Sequence, residues 1–352
     1  MTTSDALPVV AILGATGLVG DTIGQLLESR HFPLSHLKLL ASENSAGKTI
    51  QYNGKAITVE AATPEAFDGV DLVLASAGGA ISERLVPEAV KRGAVVVDNT
   101  SFFRMKPDVP LVVAGVNDED CKQHQGIIAN PNCSTAQLMP VLKTLHEQAG
   151  LKRVIVSTYQ SASGAGQKGM SALIDQCSQA VQDTTCRQTL PQAPFNRPLG
   201  LNIVPHIDSF LPNGYTKEEN KLIEETKKIL HLPQLAITAT AVRVPVIIGH
   251  SESVTIDFER PLSVEKAVAA LKQNSLLRVY EDATDYPTPI DAEGQEAVYV
   301  GRIRQDASNP ETGLSLWVVA DNLMIGAALN AVRIAEYLVS EKLLRCNTAV
   351  GC

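Results

Sequence analysis

VVAILGATGLVGDTIGQLLES, residues 9–29, runs from an apolar stretch through Gly14, Gly17 and Gly20 into a helical pattern. A strand, a glycine turn and a helix in that order bring backbone amides and the positive end of a helix dipole to one point. Glycine at the turn allows close approach to a pyrophosphate, which points to a dinucleotide fold rather than a plain βα turn. Downstream, LKLLAS, VDLVLASAG, AVVVDNT, PLVVAG and GIIAN repeat the apolar run, with helical periodicity at 18–29 and 81–92. Runs that are apolar on both faces are parallel strands covered by helices. Residues 1–132 are therefore expected to form a Rossmann-type, doubly wound α/β domain.

Beyond residue 150 the texture changes. RVIVSTYQSAS, LAITATAVRVPV, ESVTIDFE, AVYVGRIRQD and LSLWVVAD read as longer strands, with helical patterns at 166–182, 216–230 and 263–274 and a loop at 184–200. This predicts an α+β catalytic and dimerisation domain over 133–322, with a mostly antiparallel sheet. A last helical pattern, 325–341 within a segment 323–345, is apolar enough to return to the first domain.

A chain of 352 residues suits two domains. Thirty Lys and Arg against 38 Asp and Glu give a net charge of −8, and no basic block interleaves with aromatics, so nucleic acid is not an expected partner. No run reaches the roughly 20 apolar residues of a membrane helix. No signal peptide is read at the start, so reduced thiols and a cytoplasmic location are expected. The six cysteines, at 121, 133, 177, 186, 346 and 352, show no metal-ligand spacing, and no metal is expected. Cys346 and Cys352 fall in a polar tail expected to fray.

One thiol stands apart. Cys133 follows the turn Asn130-Pro131-Asn132 and starts a helical pattern, where the dipole favours a thiolate. Ser134 and Thr135 in the first turn offer amides to an oxyanion. His250, at a glycine hinge between two strands, is the preferred base, with His206 second; the other histidines lie among polar residues. Arg243 in an apolar strand must pair with an acid or bind an anion, and Arg104 follows a strand end where such folds hold ligands. The second strand ends in LLASENSAGK. Ser42, Asn44, Ser45 and Lys48 suit a ribose 2′-phosphate, while Glu43 stands one position late for the acid of an NAD site. This favours NADP over NAD, but a further basic residue is missing, which leaves dual use open.

The motifs GATGLVG, DNTSFFRMKPDVPLVV, NPNCST, STYQSASGAG, NGYTKEENK, RVPVIIGHSESV and WVVADNL, in that order, resemble the aspartate-semialdehyde dehydrogenase family over nearly the whole chain. The segment from Cys177 to Gly200 matches no motif of that family. The resemblance implies Cys133 as the thioester-forming nucleophile, His250 as general acid/base and Gln160 as the residue orienting substrate. Arg243 would grip the substrate carboxylate, Glu218 its amino group, and Arg104, Lys221 and Asn99 the phosphate. Gly14, Ala15, Thr16, Gly17, Leu18, Val19, Ser42, Asn44, Ser45, Ser163, Gly164 and Asn322 would bind NADP, the last at the nicotinamide amide. It implies NADPH-dependent conversion of L-aspartyl-4-phosphate to L-aspartate-4-semialdehyde and phosphate, feeding lysine (diaminopimelate), threonine, methionine and isoleucine biosynthesis, by a homodimer or homotetramer. Reduction of N-acetylglutamyl phosphate is the alternative within enzymes, and Glu218 speaks against it because an acetylated amine needs no acid. A catalytically silent dinucleotide-binding scaffold is the alternative outside enzymes, and retention of both Cys133 and His250 speaks against that.

Overall fold

The computed structural model describes residues 7–344, so Cys346 and Cys352 lie outside the described residues. In chain order the elements are β1 Val9–Leu13, α1 Leu18–Ser29, β2 His36–Ala41, β3 Thr49–Tyr52, β4 Lys55–Ala61, β5 Leu72–Ala75, α2 Gly79–Lys91, β6 Val95–Asp98 and β7 Ile127–Ala129. Then follow α3 Cys133–Ala149, β8 Leu151–Gln160, α4 Gly166–Gln182, α5 Lys217–Ile229, β9 Ala236–Arg243, β10 His250–Phe258, α6 Val264–Gln273 and β11 Leu277–Val279. The short α7 Pro289–Ala292, β12 Val298–Gln305, β13 Gly313–Ala320, a π-helical turn Met324–Ala328 and α8 Leu329–Ser340 complete them. Two compact units result: one of residues up to Pro131 with those from Ala327 onward, the other Asn132–Gly326.

The first unit holds a seven-stranded sheet, ordered β3-β4-β2-β1-β5-β6-β7 and parallel except for β3 against β4. Every residue of β5 and β6 is buried, as strands covered on both faces must be. The β3–β4 hairpin is absent from the sequence reading. Its turn is Asn53-Gly54 with φ of +49° and +71°, an arrangement that suits the twist of a tight hairpin. The apolar segment PLVVAG is not a strand, contrary to expectation. Leu111 makes a single bridge to Ala129, and the Asn330 side chain takes the ladder groups instead. It accepts from the Ala114 amide at 2.8 Å and donates to the Val112 carbonyl at 2.9 Å. Asn330 belongs to α8, which also packs on α1 through the Arg30–Glu336 ion pair at 2.8 Å.

The second unit is built on a six-stranded sheet, ordered β11-β12-β13-β10-β8-β9. It is mostly antiparallel, as expected: β12 with β13, β13 with β10 and β10 with β8 run antiparallel, while β8 with β9 and β11 with β12 run parallel. A parallel neighbour needs a long crossover, and the stretch from α4 through α5 supplies one between β8 and β9. The register pairs Gln160 with Arg243 at the ends of β8 and β9, and Ser251 of β10 with Tyr159. Three strand termini thus meet at one edge of this sheet.

Candidate active site

The thiol centre lies within the second unit and is assembled from those strand termini, the start of α3 and the first turns of α5. Asn132 caps α3, its backbone extended and its side-chain oxygen accepting from the Ser134 amide at 3.0 Å. The Ser134 amide is therefore committed, and is not free to line an oxyanion as the sequence reading expects. The cap does more. The Asn132 amide donates to Glu218 at 2.9 Å, and its backbone N–H to Glu225 at 2.7 Å. Gly326 lies so close to Cys133 that a Cβ there would overlap the cysteine Cβ. The thiol itself is half-buried.

Gln160 ends β8, with its amide donating to the Ser134 hydroxyl at 2.9 Å and to Glu218 at 3.2 Å. Glu218 is buried, which by itself raises a carboxyl pKa. The Lys221 ammonium at 3.2 Å, with the Asn132 and Gln160 amides, outweighs that and holds it below the ordinary range. Lys221 also pairs with Asp208 at 2.9 Å, so its charge is already shared between two carboxylates.

Arg243 is buried at the end of β9 and donates to the Ser161 carbonyl at 2.6 Å. It forms no ion pair among the described residues, so the alternative of a structural salt bridge does not hold. Burial lowers its pKa, while the charges of Glu218 and Cys133 pull the other way. A Cβ on Gly164 would come within 2.7 Å of Arg243 Nη1 and 3.5 Å of His250 Nε2, so only glycine leaves room beside both.

His250 opens β10 and is fully buried. The Ser161 amide donates to Nδ1 at 3.1 Å, so the neutral ring carries its proton on Nε2, and Nε2 has no hydrogen-bond partner among the described residues. Desolvation first, then the Arg243 charge, pull its pKa down to about 3. Here is a buried N–H donor that does not titrate near neutrality. His206, the second choice, stacks on Phe210 at 4.4 Å instead.

Asn322 is expected at a nicotinamide amide. Its oxygen is already occupied, accepting from the Ser161 and Ser163 hydroxyls at 3.0 Å and the Gly249 amide at 2.9 Å. It ties the Ser161–Ser163 turn to the hinge before His250. Sequence reasoning passed over Asn132, Ser161 and Glu225. An Asn-Pro-Asn turn before a helix does signal a cap, but nothing local marks the other two.

The first unit holds the glycine turn. Gly14 has φ of +94°, and a Cβ on it would stand 2.8 Å from the Ser76 carbonyl oxygen. A Cβ on Gly20 would overlap the Gly14 carbonyl oxygen. This cradle sits at the carboxyl ends of parallel strands, where the amides starting α1 suit a pyrophosphate, so the residues present fit a dinucleotide. A cleft of about 550 Å³ there is lined by Gly14, Thr16, Gly17, Ser42, Asn44 and Thr63 among others. Ser45 reaches the loop by accepting from the Thr16 hydroxyl at 3.4 Å. Lys48 is not among the lining residues, but Arg84 of α2 is. Arg104, also in this unit, donates to the Asn99 carbonyl at 2.8 Å, and both polar atoms of the Asn99 side-chain amide are buried with no hydrogen-bond partner among the described residues. The expected binding set is thus divided: Gly14 to Val19, Ser42, Asn44, Ser45, Asn99 and Arg104 lie in the first unit, and Ser163, Gly164, Lys221 and Asn322 in the second. Among the described residues no His, Cys, Asp and Glu cluster could hold a metal, and no helix is long and apolar enough to cross a membrane.

Residues 9–124 match the family description "Semialdehyde dehydrogenase, NAD binding domain", and residues 142–325 match "Semialdehyde dehydrogenase, dimerisation domain". The aspartate-semialdehyde dehydrogenase of Aquifex aeolicus is 49% identical over 341 residues, 95% of this chain and 99% of that one. Among solved structures, aspartate semialdehyde dehydrogenase II of Vibrio cholerae complexed with ASA superposes with a TM-score of 0.91 at 43% identity, covering 95% of this chain and 99% of the other. The Candida albicans aspartate semialdehyde dehydrogenase, solved with NADP, superposes at 0.77 with 28% identity, covering 96% and 100%.

Proposed function

We propose that this chain, which belongs to the aspartate-semialdehyde dehydrogenase family, reduces L-aspartyl-4-phosphate to L-aspartate-4-semialdehyde through a thioester on Cys133. The observation that carries the reading is the convergence of a thiol at a helix start with a buried Arg243, a buried Glu218 and the orphan N–H of His250. The Arg243 fork suits the substrate α-carboxylate and the ionised Glu218 its ammonium group. Arg104, Asn99 and Lys221 are assigned to the phosphate. The Cys133 thiolate attacks the acyl carbon, the C–O bond to phosphate breaks, and phosphate leaves with the bonding pair. A nicotinamide dinucleotide, when bound, supplies the hydride that reduces the thioester. The carbonyl then re-forms as the thiolate is expelled. Negative charge builds on the same oxygen in both steps, and His250 Nε2–H is suited to donate to it. Gln160 orients the acyl group beside the thiol.

NADP is the preferred dinucleotide, on the hydroxyl and amide groups of Ser42, Asn44 and Ser45 and on the related Candida protein solved with NADP. The active form is a homodimer in the cytoplasm, and its product feeds lysine, threonine, methionine and isoleucine synthesis. Oxidation of L-aspartate-4-semialdehyde by NADP in the presence of phosphate tests the reaction. Faster turnover of N-acetylglutamate semialdehyde would overturn the substrate assignment. Cys133→Ser should abolish phosphate-dependent turnover while NADP still binds; retained turnover would remove Cys133 as nucleophile.

A further inference from the structure

The sequence around Ser42 leaves the adenosine end of the dinucleotide short of a cation. The fold supplies one from elsewhere. Arg84 lies on α2, 42 positions from Ser42, and both line the cleft above the glycine turn. The guanidinium is exposed and has no hydrogen bond or ion pair with any described residue, although Glu43 lines the same cleft. Its neighbours there, Ser42, Asn44 and Thr63, offer uncharged groups that can donate to phosphate oxygens. The pyrophosphate has its own cradle in the amides of the glycine turn, so the cation is surplus to that group. In a chain of net charge −8, an anionic ligand depends on such local cations.

We infer that Arg84 is the residue that recognises the 2′-phosphate of the adenosine ribose, and so sets the preference for NADP over NAD. This rests on the NADP reading above and names its charged determinant. A guanidinium binds phosphate by a fork of charge-assisted hydrogen bonds that a hydroxyl gains nothing from. Glu43 acts in the opposite sense, repelling the phosphate and accepting from a 2′-hydroxyl, so the two side chains weigh the two dinucleotides against each other.

Equilibrium dialysis with 2′,5′-ADP and 5′-AMP tests this without turnover, on wild type and Arg84→Gln, after unfolding curves show equal stability. Wild type should bind 2′,5′-ADP more tightly than 5′-AMP. Arg84→Gln should shrink that ratio about tenfold or more, with 5′-AMP affinity little changed. Arg84→Lys should recover part of it. If the ratio survives in Arg84→Gln, or both affinities fall together, the assignment of Arg84 is overturned while the NADP reading stands. If wild type shows no preference, the NADP reading itself fails, and the inference with it.

Discussion

A histidine buried to its last atom beside a guanidinium stays neutral, and His250 is such a residue. Its folded pKa of about 3 lies below the ordinary 6.5, so the neutral ring contributes stability above pH 6.5 that is lost as pH falls toward 3. The acid limb of the unfolding free energy, measured by denaturant titration between pH 7 and 4, should therefore be shallower in His250→Gln than in wild type. The same pair of residues informs catalysis. Removing an oxyanion donor typically costs roughly 10²- to 10³-fold in kcat, which is the expectation for His250→Ala. His250→Gln, which keeps an N–H, should retain more. Equal loss in both would favour a proton-transfer role over donation. Glu252 shows the opposite titration. It is buried under α3, and burial, opposed by the nearby Gln137 amide, raises its pKa well above the ordinary value. Its contribution is present at low pH and lost as pH rises through the raised value. Glu252→Gln should gain stability relative to wild type on going from pH 5 to pH 8 in the same measurement. Arg243→Lys keeps the charge but not the fork, so kcat/KM for the semialdehyde should fall about 10- to 100-fold. An unchanged value would count against the carboxylate assignment.

At the scale of elements, α3 depends on its first residue before the helix. Asn132→Ala removes the cap, worth about 1 kcal/mol, and also strips a partner from Glu218. Thermal unfolding should show a lower Tm, and the KM for substrate should rise because Glu218 loses one of its fixed donors. A fall in Tm with unchanged KM would confine Asn132 to capping. The glycine turn makes a similar demand of β1 and α1. Gly20 has no room for a methyl group beneath the Gly14 carbonyl, so Gly20→Ala should weaken dinucleotide binding sharply in a titration of NADPH fluorescence. Elements with long periodic patterns, such as α1 and α4, match their sequence expectation end to end. PLVVAG misleads because apolar composition is shared by strands and by buried loops, and only the distant Asn330 decides between them.

For the whole molecule, two compact units each carry a part of the expected site. A ligand that binds only folded protein stabilises it by mass action, about 2.7 kcal/mol at a hundredfold excess over Kd. Saturating NADP should raise the unfolding free energy of wild type accordingly, and NAD should do less at equal concentration. The match of residues 142–325 to a dimerisation domain gives the assembly expectation: sedimentation equilibrium should return twice the chain mass. A monomer mass under assay conditions would overturn the dimer.

The sequence alone determined what neighbours in the chain can settle: the strand, glycine turn and helix at 9–29, the cysteine at a helix start, and a phosphate-friendly strand end. These are legible because backbone propensity, capping and glycine conformations act over a few residues. The tertiary structure decided the rest. It joined Gln160 to Glu218 across 58 positions and Ser161 to His250 across 89, took the Ser134 amide for a cap, and brought Arg84 to the cleft of Ser42. Such contacts come from register and packing between distant segments, and the energy that selects them exists only when the sheets are formed.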